Sequence, residues 1–449
     1  MSGPDAMAYD PQPRRPAWGV RTPLRKSRST EVPLVLAPPP ARVWIALVLH
    51  HLGSGHEVAE PLVAPGQIIA CGEPVGEFRR VAPGLRIHAS ISGRVSAIEA
   101  MPVAGSHGPV PCVVIDGDGH DRRFDGYDGI TATTPDAFRK AIAGAGILGL
   151  GGAQFPTALK LATAGSAPVL LLNGAECEPY ISCDDLLLRE RADRVVAGAR
   201  LLLDALQASQ CVMAVKSDMP VARIALVNAL AATGDRRIVT SVVTAKYPSG
   251  GERQLIELVF GREVPAGGLP PDIGVVCQNV ATAAAVADFF EHGRPLVSRI
   301  VTVTGGGIVR PCNIEARIGT PVADLVALAG GYEAGVERLV MGGPMMGIAL
   351  PSDALPITAA TNCVIAATAA DFGPMPAEMP CIRCGDCVEA CPARLLPLEL
   401  LAASEAGSRE GLLELGLTDC IECGACDYAC PSHIRLASRF AADKALVDR

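Results

Sequence analysis

Between residues 42 and 128, short β-rich runs at 43–48, 67–70, 94–98 and 111–115 alternate with Gly, Pro and Asp turns. Runs of strand length separated by turn residues predict a small all-β unit. Beyond it the period changes. Thr134 and Pro135 offer an N-cap and a first helical position. Apolar runs at 169–172, 212–215, 237–243 and 273–277 then each precede a helical pattern, from about 185 to 208, near 220–232, from Glu252, and from Asn279 to about His292. Strand followed by helix, repeated four times, predicts a largely parallel sheet. From Ser298 to about Ala370 the chain reads as a second β-rich unit with one helix at 322–329, and Phe372 to Pro380 is a Pro- and Met-rich linker. Short helices around cysteines are predicted from about Met379. These shifts set expected boundaries at 1–41 (an arm), 42–130, 131–297, 298–370 and 371–449.

Composition narrows the classes. With 449 residues, 49% apolar and 19% charged, the chain is neither disordered nor a single small domain. Aromatics are only 4%, while 47 glycines and 37 prolines point to many turns and close backbone approaches. Lys+Arg of 39 against Asp+Glu of 47 leaves a net charge of −8, without the positive face that nucleic acid requires, so the expectation is no nucleic-acid partner. The run at 43–49 stops at His50 and His51, far short of the roughly 20 apolar residues of a membrane span. Residues 1–30 are polar, with Arg14, Arg15, Arg21, Arg25, Lys26 and Arg28, and lack the apolar stretch of a signal peptide. The expectation is therefore a cytosolic, reducing environment, where sixteen cysteines serve as metal ligands and buried thiols rather than disulfides.

Half of those cysteines fall into two copies of one pattern, Cys381-x2-Cys384-x2-Cys387-x3-Cys391-Pro392 and Cys420-x2-Cys423-x2-Cys426-x3-Cys430-Pro431. This is the bacterial ferredoxin run, twice: three close cysteines wrap three corners of a cubane, and the fourth ligates the other cluster. The spacing predicts one [4Fe–4S] cluster on Cys381, Cys384, Cys387 and Cys430, and a second on Cys420, Cys423, Cys426 and Cys391. Paired zinc knuckles are the alternative, but they need neither a third close cysteine nor the trailing Cys-Pro. Cys71, Cys112, Cys177, Cys183, Cys211, Cys277, Cys312 and Cys363 show no ligand spacing and are expected to be mainly buried thiols.

The segment Gly149-Leu-Gly151-Gly152-Ala-Gln-Phe155-Pro156-Thr-Ala-Leu-Lys160 is a glycine-rich loop entering a helix, with a lysine one turn in. Such a junction suits an anion, although a glycine turn without a ligand fits the bare pattern equally. It is neither a Rossmann nor a Walker loop, because a helix precedes it and Gly-Lys-Ser/Thr is absent. Three predicted strands end in Asn173-Gly-Ala-Glu176-Cys-Glu178, in Lys246-Tyr247-Pro-Ser-Gly250-Gly251-Glu252 and in Gln278-Asn279 followed by Thr282. Ligands of open α/β sheets bind at that end of the strands. Only six lysines occur in the chain (26, 140, 160, 216, 246 and 444), so one at a motif position carries information.

The motifs GLGGAQFPTALK, NGAECEPYISCDD, KYPSGGERQLI, GREVPAGGLP, VVCQNVATA and VMGGPMMG, with the two cysteine runs, resemble the RnfC family across nearly the whole chain. RnfC proteins are peripheral subunits of the Rnf complex, a membrane-bound, ion-translocating NADH:ferredoxin oxidoreductase. The α/β part is also similar to the flavin-bearing NADH subunit of respiratory complex I. The resemblance implies a multidomain α+β chain: a β barrel-sandwich hybrid, an α/β flavin-binding domain, a β-grasp (soluble-ligand-binding) domain and a helical bis-[4Fe–4S] ferredoxin-like domain. The two halves of that hybrid are the stretches PLVAPGQIIACGEPVGE and IHASISGRVSAIE. Because no lysine lies between Lys26 and Lys140 to carry biotin or lipoate, the β unit is expected to be a scaffold.

The same resemblance implies noncovalent FMN held by Gly149, Gly151, Gly152, Lys160, Asn173, Glu176, Tyr247, Gly250, Gly251, Asn279 and Thr282. Phe155, Glu178 and Glu252 would face NADH. Leu150, Ala175 and Thr163 depart from the complex I pattern, which has arginine, aspartate and phenylalanine there. The implied function is exchange of electrons between NAD(H) and membrane subunits, and through them ferredoxin or flavodoxin, on the cytoplasmic side of the inner membrane. FMN converts hydride into single electrons for the clusters. Two rival readings are an RnfC-like cobalamin reductase and a non-catalytic electron relay or docking scaffold. The Arg-rich arm at 14–28 is either a tail or a strap for a partner.

Overall fold

The computed structural model describes residues 15–49, 57–106, 108–164 and 169–447. Arg14, and with it the start of the arm, lies outside the described residues. The first unit is a β sandwich. Strands Arg42–Ala46, Val110–Gly117, Gly93–Met101 and Ile68–Ile69 form one antiparallel sheet in that order, and Glu60–Pro61, Pro74–Glu77 and Arg86–His88 form a second. Alternate residues such as Val43, Ile45, Val113 and Ile115 point inward and meet Phe78 and Ile91 in one buried core, as a period of two requires.

The α/β unit carries a four-stranded, wholly parallel sheet in the order Ile238–Val243, Gln210–Lys216, Val169–Gly174, Val275–Asn279. Its second and third strands are almost entirely buried, which their unbroken apolar runs dictate. Helices Ala192–Leu206 and Val280–His292 pack closely on one face because Gly198 has no Cβ, which would overlap the Ala283 carbonyl. The helix expected from 185 to 208 is two, Cys183–Glu190 and Ala192–Leu206, parted at Arg191, whose ψ of 36 leaves the helical region. Pro156 is the N-cap of the short helix Thr157–Ala162 rather than its first residue.

In the third unit a mixed six-stranded sheet runs Val35–Leu36, Cys312–Arg317, Ser298–Thr304, Cys363–Thr368, Val336–Met341, Ile348–Leu350, with helix Val322–Leu328 packed into the same core. The last unit is two similar helical halves. Gly385 and Gly424, at φ 86 and 69, turn the chain into helices Asp386–Ala390 and Ala425–Ala429. The longer helices Pro397–Glu405 and Leu436–Val447 bury Leu400, Leu436 and Phe440.

The arm is not a tail over its described length. Trp18 is buried in the core behind the parallel sheet, Val20 bridges to Tyr247, and strand Val35–Leu36 adds a parallel edge to the six-stranded sheet. Ser29 is fully buried between them, its hydroxyl 2.8 Å from that of Ser182 and its carbonyl accepting from Asn313 at 3.0 Å. Polar composition suggested a free segment, yet specific hydrogen bonds make it a strap across the chain's own domains.

Candidate cofactor sites

Parallel register brings the strand ends to one edge, where Asn173 stands level with Ala214 on one side and Asn279 on the other. The glycine loop lies against that edge. Leu150 donates its N–H to the Thr282 hydroxyl at 2.9 Å, and a Cβ on Gly151 would stand 3.5 Å from the Asn279 amide nitrogen. Asn173 donates to the Gly250 carbonyl at 2.8 Å, and a side chain on Gly250 would overlap the Ala175 carbonyl. Gly149, Gly151, Gly152, Asn173, Gly250, Asn279 and Thr282 are thus brought together by contacts that leave the backbone unshielded by side chains. Asn279 also caps its helix, accepting from the Ala281 N–H at 2.7 Å.

Charge gathers at this edge. Lys160 pairs with Glu252 at 2.9 Å. Lys26 from the arm and the fully buried Lys216 both donate to the Glu176 carbonyl, at 2.7 and 3.0 Å. Lys246 holds the arm through the Ala17 carbonyl at 3.0 Å. Four of the six lysines therefore meet here, and their scarcity was the signal that could have marked Lys26 and Lys216. The Glu176 carboxylate accepts from the Cys183 thiol at 3.2 Å and the Asp184 N–H at 3.1 Å, while Asn279 donates to Asp184 at 2.7 Å. Burial, and then Glu176, push the Asp184 and Cys183 pKa values up, so that thiol remains protonated. Buried Arg299, on a strand of the β-rich unit, reaches the Leu150 carbonyl at 3.3 Å; no local motif announced it.

Buried orphan atoms remain. The Ser249 hydroxyl and Glu176 Oε2 make no hydrogen bond, the latter lying 3.7 Å from Lys26. Unsatisfied buried groups beside a stripped glycine backbone and a lysine are what a polar, anionic ligand complements, so the residues fit FMN.

Three of the expected residues are engaged elsewhere. Glu178 is buried beneath the turn after Val336–Met341 and accepts from the Met345 and Met346 N–H groups at 3.2 and 3.0 Å, with its pKa pushed up to about 7 by burial. Tyr247 donates its hydroxyl to the Cys423 carbonyl at 2.7 Å. Phe155 stands outside the loop, 38% exposed.

The eight patterned cysteines line two cavities of about 20 Å3 each. One is lined by Cys381, Cys384, Cys387 and Cys430, the other by Cys391, Cys420, Cys423 and Cys426. Among the described residues, no three of these thiols lie within 4.8 Å of one another, the packing a single ion needs. Burial pushes the Cys423 thiol up to about 12, so its thiolate requires a positive core beside it. The donor set fits cubane clusters.

Profiles of known families match in four places: the RnfC barrel sandwich hybrid domain at 16–120, the Nuo51 FMN-binding domain at 142–288, the SLBB domain at 300–349 and a 4Fe-4S dicluster domain at 380–434. The chain is 47% identical over 433 residues to the RnfC protein of the ion-translocating oxidoreductase complex of Pseudomonas aeruginosa, covering 95% of this chain but 55% of that protein. It is 38% identical over 404 residues to the corresponding protein from Rhodobacter capsulatus, covering 89% and 76%. A solved NAD+-reducing [NiFe]-hydrogenase in the H2-reduced state aligns at a TM-score of 0.48 and 22% identity, over 71% of this chain and 62% of that one.

Proposed function

The chain belongs to the RnfC family of ion-translocating oxidoreductase complexes, and from that premise we propose that it carries electrons between NAD(H) and the membrane subunits of such a complex. One observation supports this most: a glycine-fronted strand edge and two four-cysteine cavities occur in one chain and are joined by the Tyr247–Cys423 contact. Bound FMN supplies the conversion between a hydride and single electrons, which the clusters then pass on one at a time. The chain's own part is to hold and to exclude. Lys160 and the loop 149–152 take the flavin phosphate. Asn173, Glu176, Asn279 and Thr282 shape the strand edge, and Glu252 and Phe155 face the dinucleotide. Ligation follows the cavities, with Cys391 and Cys430 each exchanged into the cluster of the other run.

Among the described residues no helix is long and apolar enough to cross a membrane. Attachment to the cytoplasmic face of the membrane through partner subunits, and delivery to ferredoxin or flavodoxin, belong to the proposal. One observation favours the relay reading instead: Glu178 and Glu252, the two carboxylates expected to meet NADH, already have internal partners. The comparisons lend the cobalamin-reductase alternative no support. Anaerobic purification with cofactor analysis, then NADH titration, decides between the readings. The proposal expects FMN, about eight irons for two cubanes and bleaching of the flavin by NADH; full cofactors without bleaching would select the relay.

A further inference from the structure

Parts of the chain far apart in sequence close on the loop that carries Cys423. Tyr247, 2% exposed, reaches the Cys423 carbonyl with its hydroxyl at 2.7 Å. Behind it, the Val20 N–H donates to the Tyr247 carbonyl at 2.8 Å and the Tyr247 N–H to the Val20 carbonyl at 3.0 Å. The neighbouring Gly19 donates its N–H to the carbonyl of Ala390, the residue before Cys391, at 3.0 Å. Gly19 has φ +85, and a Cβ there would overlap the Tyr247 carbonyl, so the approach depends on glycine. From another side Met345 packs on the apolar group formed by Val20, Tyr247, Cys423 and Ala425, and a Cβ on Gly424 would lie 3.2 Å from the Met345 carbonyl. The other cavity differs: Cys381 and Cys384 are exposed, and a Cβ on Gly385 would meet nothing within 4 Å.

We propose that Tyr247, braced by arm residues 18–20, is a positioning residue for the cluster held by Cys391, Cys420, Cys423 and Cys426. Its hydroxyl sets that cluster's reduction potential rather than holding flavin, an inference that rests on the cofactor reading above. The potential of an iron–sulfur centre responds to hydrogen bonds and burial around its ligands, and a hydrogen bond in a dry junction is stronger than one in water. The phenol proton offsets the negative end of the Cys423 carbonyl. Without it, adding an electron nearby is less favourable and the potential falls.

Tyr247→Phe keeps the ring and removes only that proton. In the anaerobically reconstituted full chain, redox titration followed by electron paramagnetic resonance should show one cluster moved to lower potential, the other unmoved and FMN content unchanged. The moved signal should be the one absent from Cys391→Ser. Unchanged potentials, a shift on the other cluster, or loss of FMN with both potentials intact would overturn the proposal. Gly19→Ala, which displaces the brace, should speed chelator removal of that same cluster several-fold; equal acceleration of both clusters would refute it. Wild-type protein with fewer than two cluster signals would sink the cofactor reading together with this inference. Two normal wild-type signals and an unmoved variant would sink this inference alone.

Discussion

The two four-cysteine cavities share one local pattern and differ in their surroundings. The first, around Cys381 and Cys384, opens to solvent, whereas Cys423 is buried beneath Tyr247, Met345 and the arm. Both pre-helix glycines hold positive φ, so backbone geometry is common to the two. Tertiary packing alone separates them, and with it the polarity, access and hydrogen bonding that tune such centres. A duplicated motif thus yields two inequivalent sites.

The harshest test of that comparison is Cys391→Ser. It should disrupt mainly the cluster of the other run, on Cys420, Cys423 and Cys426, and spare that of its own; spectroscopy showing loss only of the Cys381/Cys384/Cys387 cluster would reverse the assignment.

The pH response should sharpen the asymmetry next. Burial raises the Glu178 pKa from 4.5 to about 7, so between those values the folded chain keeps a proton that the unfolded chain has lost. Stability from this group is therefore full below about pH 4.5, declines as pH rises and levels off above about 7. The whole span is worth up to about 3 kcal/mol. Glu178→Gln should flatten that slope in unfolding midpoints measured from pH 5 to 8; an unaltered slope would show that Glu178 does not titrate there.

Lys160→Ala is the control that should touch neither cluster. Losing one charge-assisted contact of roughly 1.5–3 kcal/mol predicts FMN binding about ten- to a hundredfold weaker, read by flavin titration with iron content constant. Iron loss in step with flavin would instead join the two sites into one cooperative unit.

The smallest expected difference compares Gly424→Ala with Gly385→Ala. Each replaces a left-handed glycine at a cost of about 1 kcal/mol. Only at position 424 does the new methyl press on another segment, 3.2 Å from the Met345 carbonyl, so Gly424→Ala should be the less stable of the pair in thermal melts. Equal losses would mean the Met345 turn yields freely.

Much of the molecule was legible before any fold was known, for a physical reason: the decisive signals were local. Cubane ligation needs thiolates at fixed short spacing, and a parallel sheet needs apolar runs divided by helices. Thr134 and Asn279 announce helix starts because each side chain caps its own helix. Sequence alone therefore determined the order of domains, the cluster type and the strand edge at Asn173, Lys246 and Asn279. Tertiary structure decided what depends on contacts between distant segments. The polar arm became a strap, Glu178 acquired the Met345 and Met346 N–H groups, Lys26 and Lys216 converged on one carbonyl, and Arg299 reached Leu150 from another domain. No periodicity or spacing encodes those pairings, because hydrogen bonds across 40 to 167 residues of chain are selected by the packed surfaces that bring their partners together.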